Sequence, residues 1–339
     1  MENCIKIGLI GLGRIGKLHS ENLIRSIDNV KIEAVADIAL TDDQQFWAKK
    51  HGIEKIYRNA DKIMADKNIN AVFICSSTNS HADLIISAAR AGKHIFCEKP
   101  IHTDIFVIKQ ALDEVEKAGV KLQVGFVRRF DHNHKKVRDV VASGKLGKPN
   151  IVKVTSRDPE PQPILYISTS GGIFMDMTIH DFDMVRYLSG SEVTEVTAYG
   201  SILINPAIKQ FNDVDTAIVL MKLENGALAV IDNSRAARYG YDQRTEVHCD
   251  KGCVQVANDL NDTSMICNSE GTLCSPPKWF FIERYNDAFI AEAQAFIDSI
   301  VKDSVPLATG KDGLMAVYIA KAADLSLREN RPVKLNEII

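Results

Sequence analysis

The stretch "IKIGLIGLGRIGKLH" constrains this chain more than any other. An apolar run, Ile5 to Ile10, passes directly into Gly11-Leu12-Gly13-Arg14-Ile15-Gly16 and then into a helical pattern that reaches about Ser26. By itself GxGxxG is an ordinary glycine-rich turn. Here a strand precedes it, a helix follows, and an acid, Asp37, ends the next strand (Lys31 to Asp37), 21 residues beyond Gly16. That is the setting of a dinucleotide fingerprint. Gly11 permits the tight turn, Gly13 lets the backbone approach a pyrophosphate, and Gly16 allows close packing of helix on strand. The helix start then offers unpaired N–H groups and a partial positive charge to the phosphates, with Arg14 and Ile15 beside them.

Asp37 also bears on cofactor choice. A carboxylate accepts hydrogen bonds from the ribose hydroxyls of NAD, whereas a 2′-phosphate meets a like charge at a penalty of about 4 kcal/mol for unit charges ~4 Å apart in a partly wet site. Ile38 follows, with no adjacent Arg to offset the repulsion. NAD is therefore the expected cofactor.

Further strands are expected at Ala71 to Ser77, His94 to Lys99 and Val120 to Gly125, with helical patterns between them such as His81 to Gly92. Strict alternation implies parallel strands joined by right-handed crossovers, a doubly wound α/β sheet over residues 1–125. From residue 126 to 339 the pattern changes to strands punctuated by turns: "IVKVTSR", "EVTEVTAYGSI", "DTAIVLMKL", "ALAVIDNS", "TEVHCD" and "GCVQVAN". These predict an α+β domain with a large, mainly antiparallel open sheet, closed by helices at Ala288 to Val301 and Asp312 to Glu329.

Composition narrows the class of function. With 45% hydrophobic residues and a formal net charge of −3, the chain gives no electrostatic reason to bind nucleic acid or an anionic membrane. Seven cysteines are scattered without a CxxC pair, and no HExxH motif occurs, so neither a disulfide framework nor a metal site is expected. No run approaches a bilayer span and no leader precedes the first strand, which points to the cytoplasm.

Two stretches carry candidate chemistry. "CEKP", Cys97 to Pro100, closes a predicted parallel strand at the edge where open α/β sheets bind ligands. Pro100 holds Lys99 extended, so its ammonium could hydrogen-bond a substrate oxygen; a surface lysine before a turn proline is the plain alternative. In "GGIFMDMTIHDFDM", Asp176, His180 and Asp183 fall at i, i+4 and i+7 of one helix in apolar company. Burying such groups costs several kcal/mol unless something compensates, so the stripe is either a satisfied core pair or a site for a polar ligand. Ser76, Thr78, Asn79 and His81 follow a strand at its carboxyl end and are candidates to edge a nucleotide, as is Glu98.

Together GLGRIG, Asp37, EKP and "DMTIHDFD" entering a strand-rich second domain resemble the glucose-fructose oxidoreductase and inositol dehydrogenase family, over essentially the whole chain. "VGFVRRFD", "TSRDP" and "YGYDQR" are similar to the bacterial myo-inositol 2-dehydrogenase branch. The resemblance implies a Rossmann domain, NAD, a polyol substrate, and a homo-oligomer, dimer or tetramer, formed through the C-terminal sheet. It also implies that Lys99, Asp176 and His180 act together on substrate, with His180 as general base. Asp183 and Arg128 are implied as further substrate contacts, and Tyr239, Tyr241 and Tyr285 as pocket wall. Oxidation of another inositol isomer (scyllo or chiro) or a monosaccharide is the neighbouring reading. A non-catalytic nucleotide or sugar sensor is the alternative of a different class.

Overall fold

The computed structural model describes residues 4–339. Its elements begin with β1 (Ile5–Ile10), α1 (Arg14–Ser26), β2 (Val30–Ala36), α2 (Asp42–Lys50), β3 (Lys55–Tyr57), α3 (Asp61–Ala65), β4 (Ala71–Ile74), α4 (Thr78–Arg90), β5 (His94–Glu98), α5 (Ile105–Ala118) and β6 (Leu122–Gly125). The six strands are parallel in the order β3-β2-β1-β4-β5-β6. Strand order reverses between β1 and β4, so the connections leaving their carboxyl ends diverge and open a crevice there. The Gly-rich turn leaves β1 and residues Ser76 to Asn79 leave β4, which puts both at that crevice.

Ile7, Leu9, Phe73 and Phe96 of this sheet have no exposed surface. The rings of Phe73 and Phe96 stack at 4.6 Å, and Phe296 meets Phe73 edge-on at 5.5 Å. Phe296, with Ala293 and Ile297, comes from a helix far along the chain and completes this core.

The second set of elements is α6 (His132–Ala142), β7 (Pro149–Arg157), α7 (Ile164–Ser170), α8 (Ile173–Asp176), α9 (Ile179–Ser189), β8 (Val193–Ser201), β9 (Thr216–Leu223), β10 (Leu228–Ser234), β11 (Asp242–Cys249), β12 (Gly252–Val256), β13 (Met265–Asn268), β14 (Gly271–Cys274), α10 (Phe281–Val301), α11 (Gly310–Glu329) and β15 (Val333–Lys334). The larger sheet runs β12-β11-β7-β10-β9-β8-β15; β7 and β10 are parallel and the other neighbours antiparallel. β13 and β14 pair as a separate hairpin.

Strand alternation explains why this sheet is open. On β9, Ala217, Val219, Met221 and Leu223 are buried, while Ile218, Leu220 and Lys222 face out. Tyr199 lies opposite Ile218 on β8, and Tyr199, Ile218, Leu220 and Leu228 are all exposed. Among the described residues, no helix is long and apolar enough to cross a membrane.

The chain packs as two compact units, one running to Phe130 and including Asp287–Met315, the other Asp131–Asn286 with Ala316–Ile339. A single cut after residue 125 therefore misses the return of Asp287–Met315. The periodicity of α10 announces a helix, but does not say which sheet receives Ala293, Phe296 and Ile297.

Candidate active site

In the first unit, the three glycines of the turn serve different purposes. Gly11 has φ of 96°, and a Cβ there would lie 2.6 Å from the Cys75 backbone. A Cβ on Gly16 would lie 1.9 Å from the Gly11 carbonyl oxygen, so the turn after β1 and the first turn of α1 pack too closely for a side chain. Around Gly13 nothing lies within 4 Å of a Cβ, and the residue is exposed at the start of α1. No side chain caps α1 and no acid occupies its first turn. A helix start with no side-chain cap and no first-turn acid fits a pyrophosphate.

Asp37 is held against this turn. Its carboxylate accepts hydrogen bonds from the amides of Leu12 (2.6 Å) and Ala39 (2.8 Å), while Gln44 Nε2 donates to the Leu12 carbonyl (3.0 Å). These contacts leave lone pairs on both oxygens for ribose hydroxyls. We expect Asp37→Ser to raise the kcat/KM ratio of NADP over NAD by about tenfold or more, as removal of a like charge requires. An unchanged ratio in parallel assays with the two cofactors contradicts the assignment.

The residues after β4 divide into two kinds. Asn79 is exposed and Thr78, the first residue of α4, is half-buried. Ser77 donates to Asn79 Oδ1 (2.8 Å), and the Ser76 and Ser80 hydroxyls are 2.7 Å apart. His81, read from the sequence as a cofactor neighbour, is instead 1% exposed. Its Nε2 lies 2.9 Å from the Ser76 carbonyl oxygen and its Nδ1 2.9 Å from that of Pro100. It thus sits between the turn after β4 and the turn that carries Lys99, and in its neutral form donates to one of the two carbonyls. Burial pulls its pKa down, which favours the neutral ring.

The Lys99–Pro100 peptide bond is cis, and Lys99 is half-buried at the end of β5. Glu98 turns inward to His19, whose Nε2 is 2.8 Å from its Oε1. Arg128, expected as a substrate contact, is 3% exposed within a short 3-10 turn, Val127–Phe130. Its neighbour Arg129 anchors that turn through the Leu307 carbonyl (2.8 Å) and Asp312 (3.0 Å).

In the second unit, the single helix expected to carry Asp176, His180 and Asp183 is broken. Asp176 ends α8, and His180 is the second residue of α9. At the joint the Thr178 hydroxyl donates to Asn233 Oδ1 (2.6 Å), and Asn233 Nδ2 donates to Asp181 (2.8 Å). A strand residue thus seizes the polar groups at the break, a tertiary contact that spacing cannot reveal.

Asp176 accepts a hydrogen bond from the Tyr166 hydroxyl (2.7 Å) and faces Arg235 Nη1 at 3.4 Å. Arg235 has no exposed surface, and its Nη2 is 3.7 Å from Asp213, which itself accepts from the Ile173 amide (2.8 Å) at the start of α8. The burial cost posed by Asp176 is therefore met in part by a buried guanidinium. Tyr166, Asp213 and Arg235 escaped sequence reading; the one available signal was an Arg closing the apolar strand "ALAVIDNSR". His180 itself is half-buried beside the joint.

Four of the expected contacts, Asp183, Tyr239, Tyr241 and Tyr285, have protein neighbours of their own. Asp183 has no exposed surface and lies 3.9 Å from Arg186 Nη1. Tyr285 is 1% exposed, with the Arg284 guanidinium 4.6 Å over its ring and Tyr241 edge-on at 6.1 Å. It is core at a non-helical residue of α10, and Tyr241 is buried with it. Tyr239 is exposed but engaged: its hydroxyl donates to Asp242 (2.6 Å) and accepts from Arg157 (3.0 Å), and Arg157 also pairs with Asp232. Burial pushes the Asp242 carboxyl up, but hydrogen bonds from Arg244, Tyr239 and Asn258 outweigh it and hold the group below the usual range.

Comparison with known proteins follows the same division. Residues 5–126 match the oxidoreductase family with an NAD-binding Rossmann fold, and residues 134–255 match the GFO/IDH/MocA C-terminal domain. This chain belongs to the GFO/IDH/MocA oxidoreductase family. Within it, the chain is 46% identical to a myo-inositol 2-dehydrogenase of Thermotoga maritima, over 99% of this chain and 100% of that one. It is 43% identical to an inositol 2-dehydrogenase of Rhizobium meliloti, over 98% and 99% respectively. The structure of a Lactobacillus casei scyllo-inositol dehydrogenase with bound NAD(H) and scyllo-inositol superposes with a TM-score of 0.90 at 33% identity, covering 98% and 99% of the two chains. As a GFO/IDH/MocA enzyme this protein is an NAD-dependent oxidoreductase, in keeping with the open Gly13, the uncapped α1 and Asp37.

Proposed function

We propose that this enzyme oxidises an inositol with NAD, and that the substrate is myo-inositol, converted at C2 to 2-keto-myo-inositol. The observation that carries this reading is the set Asp176, Tyr166, Arg235 and His180 around the α8–α9 joint, in a chain that also has a nucleotide turn and Lys99. Such a set suits a ring bearing several hydroxyls. The two inositol dehydrogenases at 46% and 43% identity support the substrate class.

His180 takes the hydroxyl proton, since imidazole titrates closest to neutral pH of the available side chains. Lys99 donates a hydrogen bond to the same oxygen as negative charge builds on it. Asp176, held by Tyr166 and Arg235, accepts from a neighbouring hydroxyl and fixes the ring. NAD, when bound, supplies the acceptor for the hydride that leaves carbon. Proton and hydride together account for the two hydrogens lost.

The test is NADH formation, followed by absorbance, across myo-, scyllo- and chiro-inositol and common aldoses, with NAD and NADP in parallel. Myo-inositol with NAD is expected to react fastest. Preference for scyllo-inositol would favour the neighbouring reading, which the scyllo-inositol-bound structure supports. No reduction with any of them contradicts enzymatic function and favours a sensor.

The same proposal includes a homo-oligomer through the open sheet. Tyr199, Ile218, Leu220 and Leu228 expose a contiguous apolar face, which a second copy of the chain would cover. Ile218→Arg with Leu220→Arg should lower the mass measured by light scattering to that of a smaller assembly; an unchanged mass contradicts this interface. The cytoplasm, where NAD is available, is the proposed location, and it suits seven free cysteines.

A further inference from the structure

Beneath the Gly-rich turn lies a second cluster of ionisable groups that the reaction above does not use. His19 on α1, Glu98 on β5 and Glu292 on α10 offer nitrogen and oxygen atoms that all lie within 4.8 Å of one another. Glu292 has no exposed surface, and neither of its carboxyl oxygens has a hydrogen-bond partner. The nearby amide donor of Gln123 goes to the Glu292 backbone carbonyl (2.9 Å), not to the carboxyl. Apolar rings wall the cluster: Phe96, Phe289 and Phe73 lie 4.9, 5.5 and 5.7 Å from the His19 ring.

Two carboxylates so close in a medium this apolar cannot both be ionised. Which one keeps the charge follows from their partners. Glu98 has His19 Nε2 at 2.8 Å and its side chain is 15% exposed; Glu292 has neither help. We propose that Glu292 is a positioning residue that works as a neutral carboxylic acid, confining the negative charge to Glu98 and thereby holding the turn that presents Lys99. The remaining titratable groups at the cluster, Cys75 and Cys97, are buried thiols whose pKa burial pushes up, so they stay neutral and do not compete for the charge. Burial, and then the charge of Glu98, likewise pushes the Glu292 carboxyl well above the usual range.

A divalent cation is the competing occupant. It would draw on the same atoms and displace the contact between His19 and Glu98, which is already a good hydrogen bond at 2.8 Å.

The proposal rests on Lys99 acting at the active site, but its first test does not depend on the substrate. Infrared spectra of the unsubstituted protein at neutral pH should show the carbonyl stretch of a protonated carboxyl group, absent from Glu292→Gln. Absence of that band in the unsubstituted protein overturns the proposal, as does persistence of the whole band in Glu292→Gln. Elemental analysis that finds one divalent metal per chain, lost in Glu292→Gln, overturns it in favour of a cation site. Kinetics then separate positioning from mere folding. Glu292→Ala should lower kcat about tenfold or more with NAD affinity unchanged, as expected when a reacting group is displaced. Glu292→Gln, which keeps the shape and the neutrality, should restore kcat and leave its pH profile as in the unsubstituted protein. Equal loss in both variants contradicts the proposal.

Discussion

Replacing His180 with alanine should lower kcat by about 10²–10⁴-fold while NAD binding is retained, the range over which a positioned general base contributes. The expectation follows from where the ring sits. His180 is the second residue of α9, half-buried, next to a joint that Asn233 pins through Thr178 and Asp181. The Asn233 contacts to Thr178 and Asp181 do not involve the imidazole, so the loss is expected in the chemical step and not in folding or in the Gly-rich turn. Turnover measured at saturating substrate, with NAD affinity from fluorescence quenching, checks both halves. Near-normal turnover in a folded variant contradicts the role of His180.

Asp131→Ala should be the most damaging substitution for stability, by about 3 kcal/mol, because it removes the nearer carboxylate of a buried guanidinium and leaves Arg284 only Asp259, at 3.2 Å. Asp131 and Arg284 are 2% and 5% exposed, and Arg284 Nη1 donates to Asp131 Oδ2 at 2.6 Å. The same carboxylate accepts from His134 Nδ1 (2.9 Å) and caps α6 through the amides of Asn133 and His134 (both 3.2 Å). Burial alone would push this carboxyl up, but His134 and Arg284 prevail and hold it far below the usual carboxylate range. A carboxyl depressed on folding stabilises most above its unfolded pKa, so this contribution is complete above about pH 5 and is lost as pH falls. Denaturant unfolding at neutral and acid pH checks both statements: Asp131→Ala should be less stable at neutral pH, and the gap should close in acid. A variant as stable as the unsubstituted protein at neutral pH contradicts the assignment.

The parallel sheet was legible because its signals are local. Gly11, Gly13, Gly16 and Asp37 lie within one βαβ unit, and each finds a physical reason in the structure. The strands of the second sheet were legible from alternation, as on β9. What spacing could not carry were contacts between distant segments. Arg235 reaches Asp176 from 59 residues away, and Arg284 reaches Asp131 from 153 residues away. Asn233 holds the break in an otherwise helical pattern in the same way, and Ala293, Phe296 and Ile297 join a sheet whose strands all lie before residue 126. Spacing likewise could not show that His81 lies between the Ser76 and Pro100 carbonyls, or that Asp183 is buried near Arg186.

The catalytic reading is tested most directly by following the hydrogen itself. Myo-inositol deuterated at C2 should react more slowly than the unlabelled compound at saturating NAD when C–H cleavage limits the rate, and the deuterium should appear in the NADH formed. Reduction of NAD that leaves the label on the ring, or no reduction at all, would contradict hydride transfer from C2.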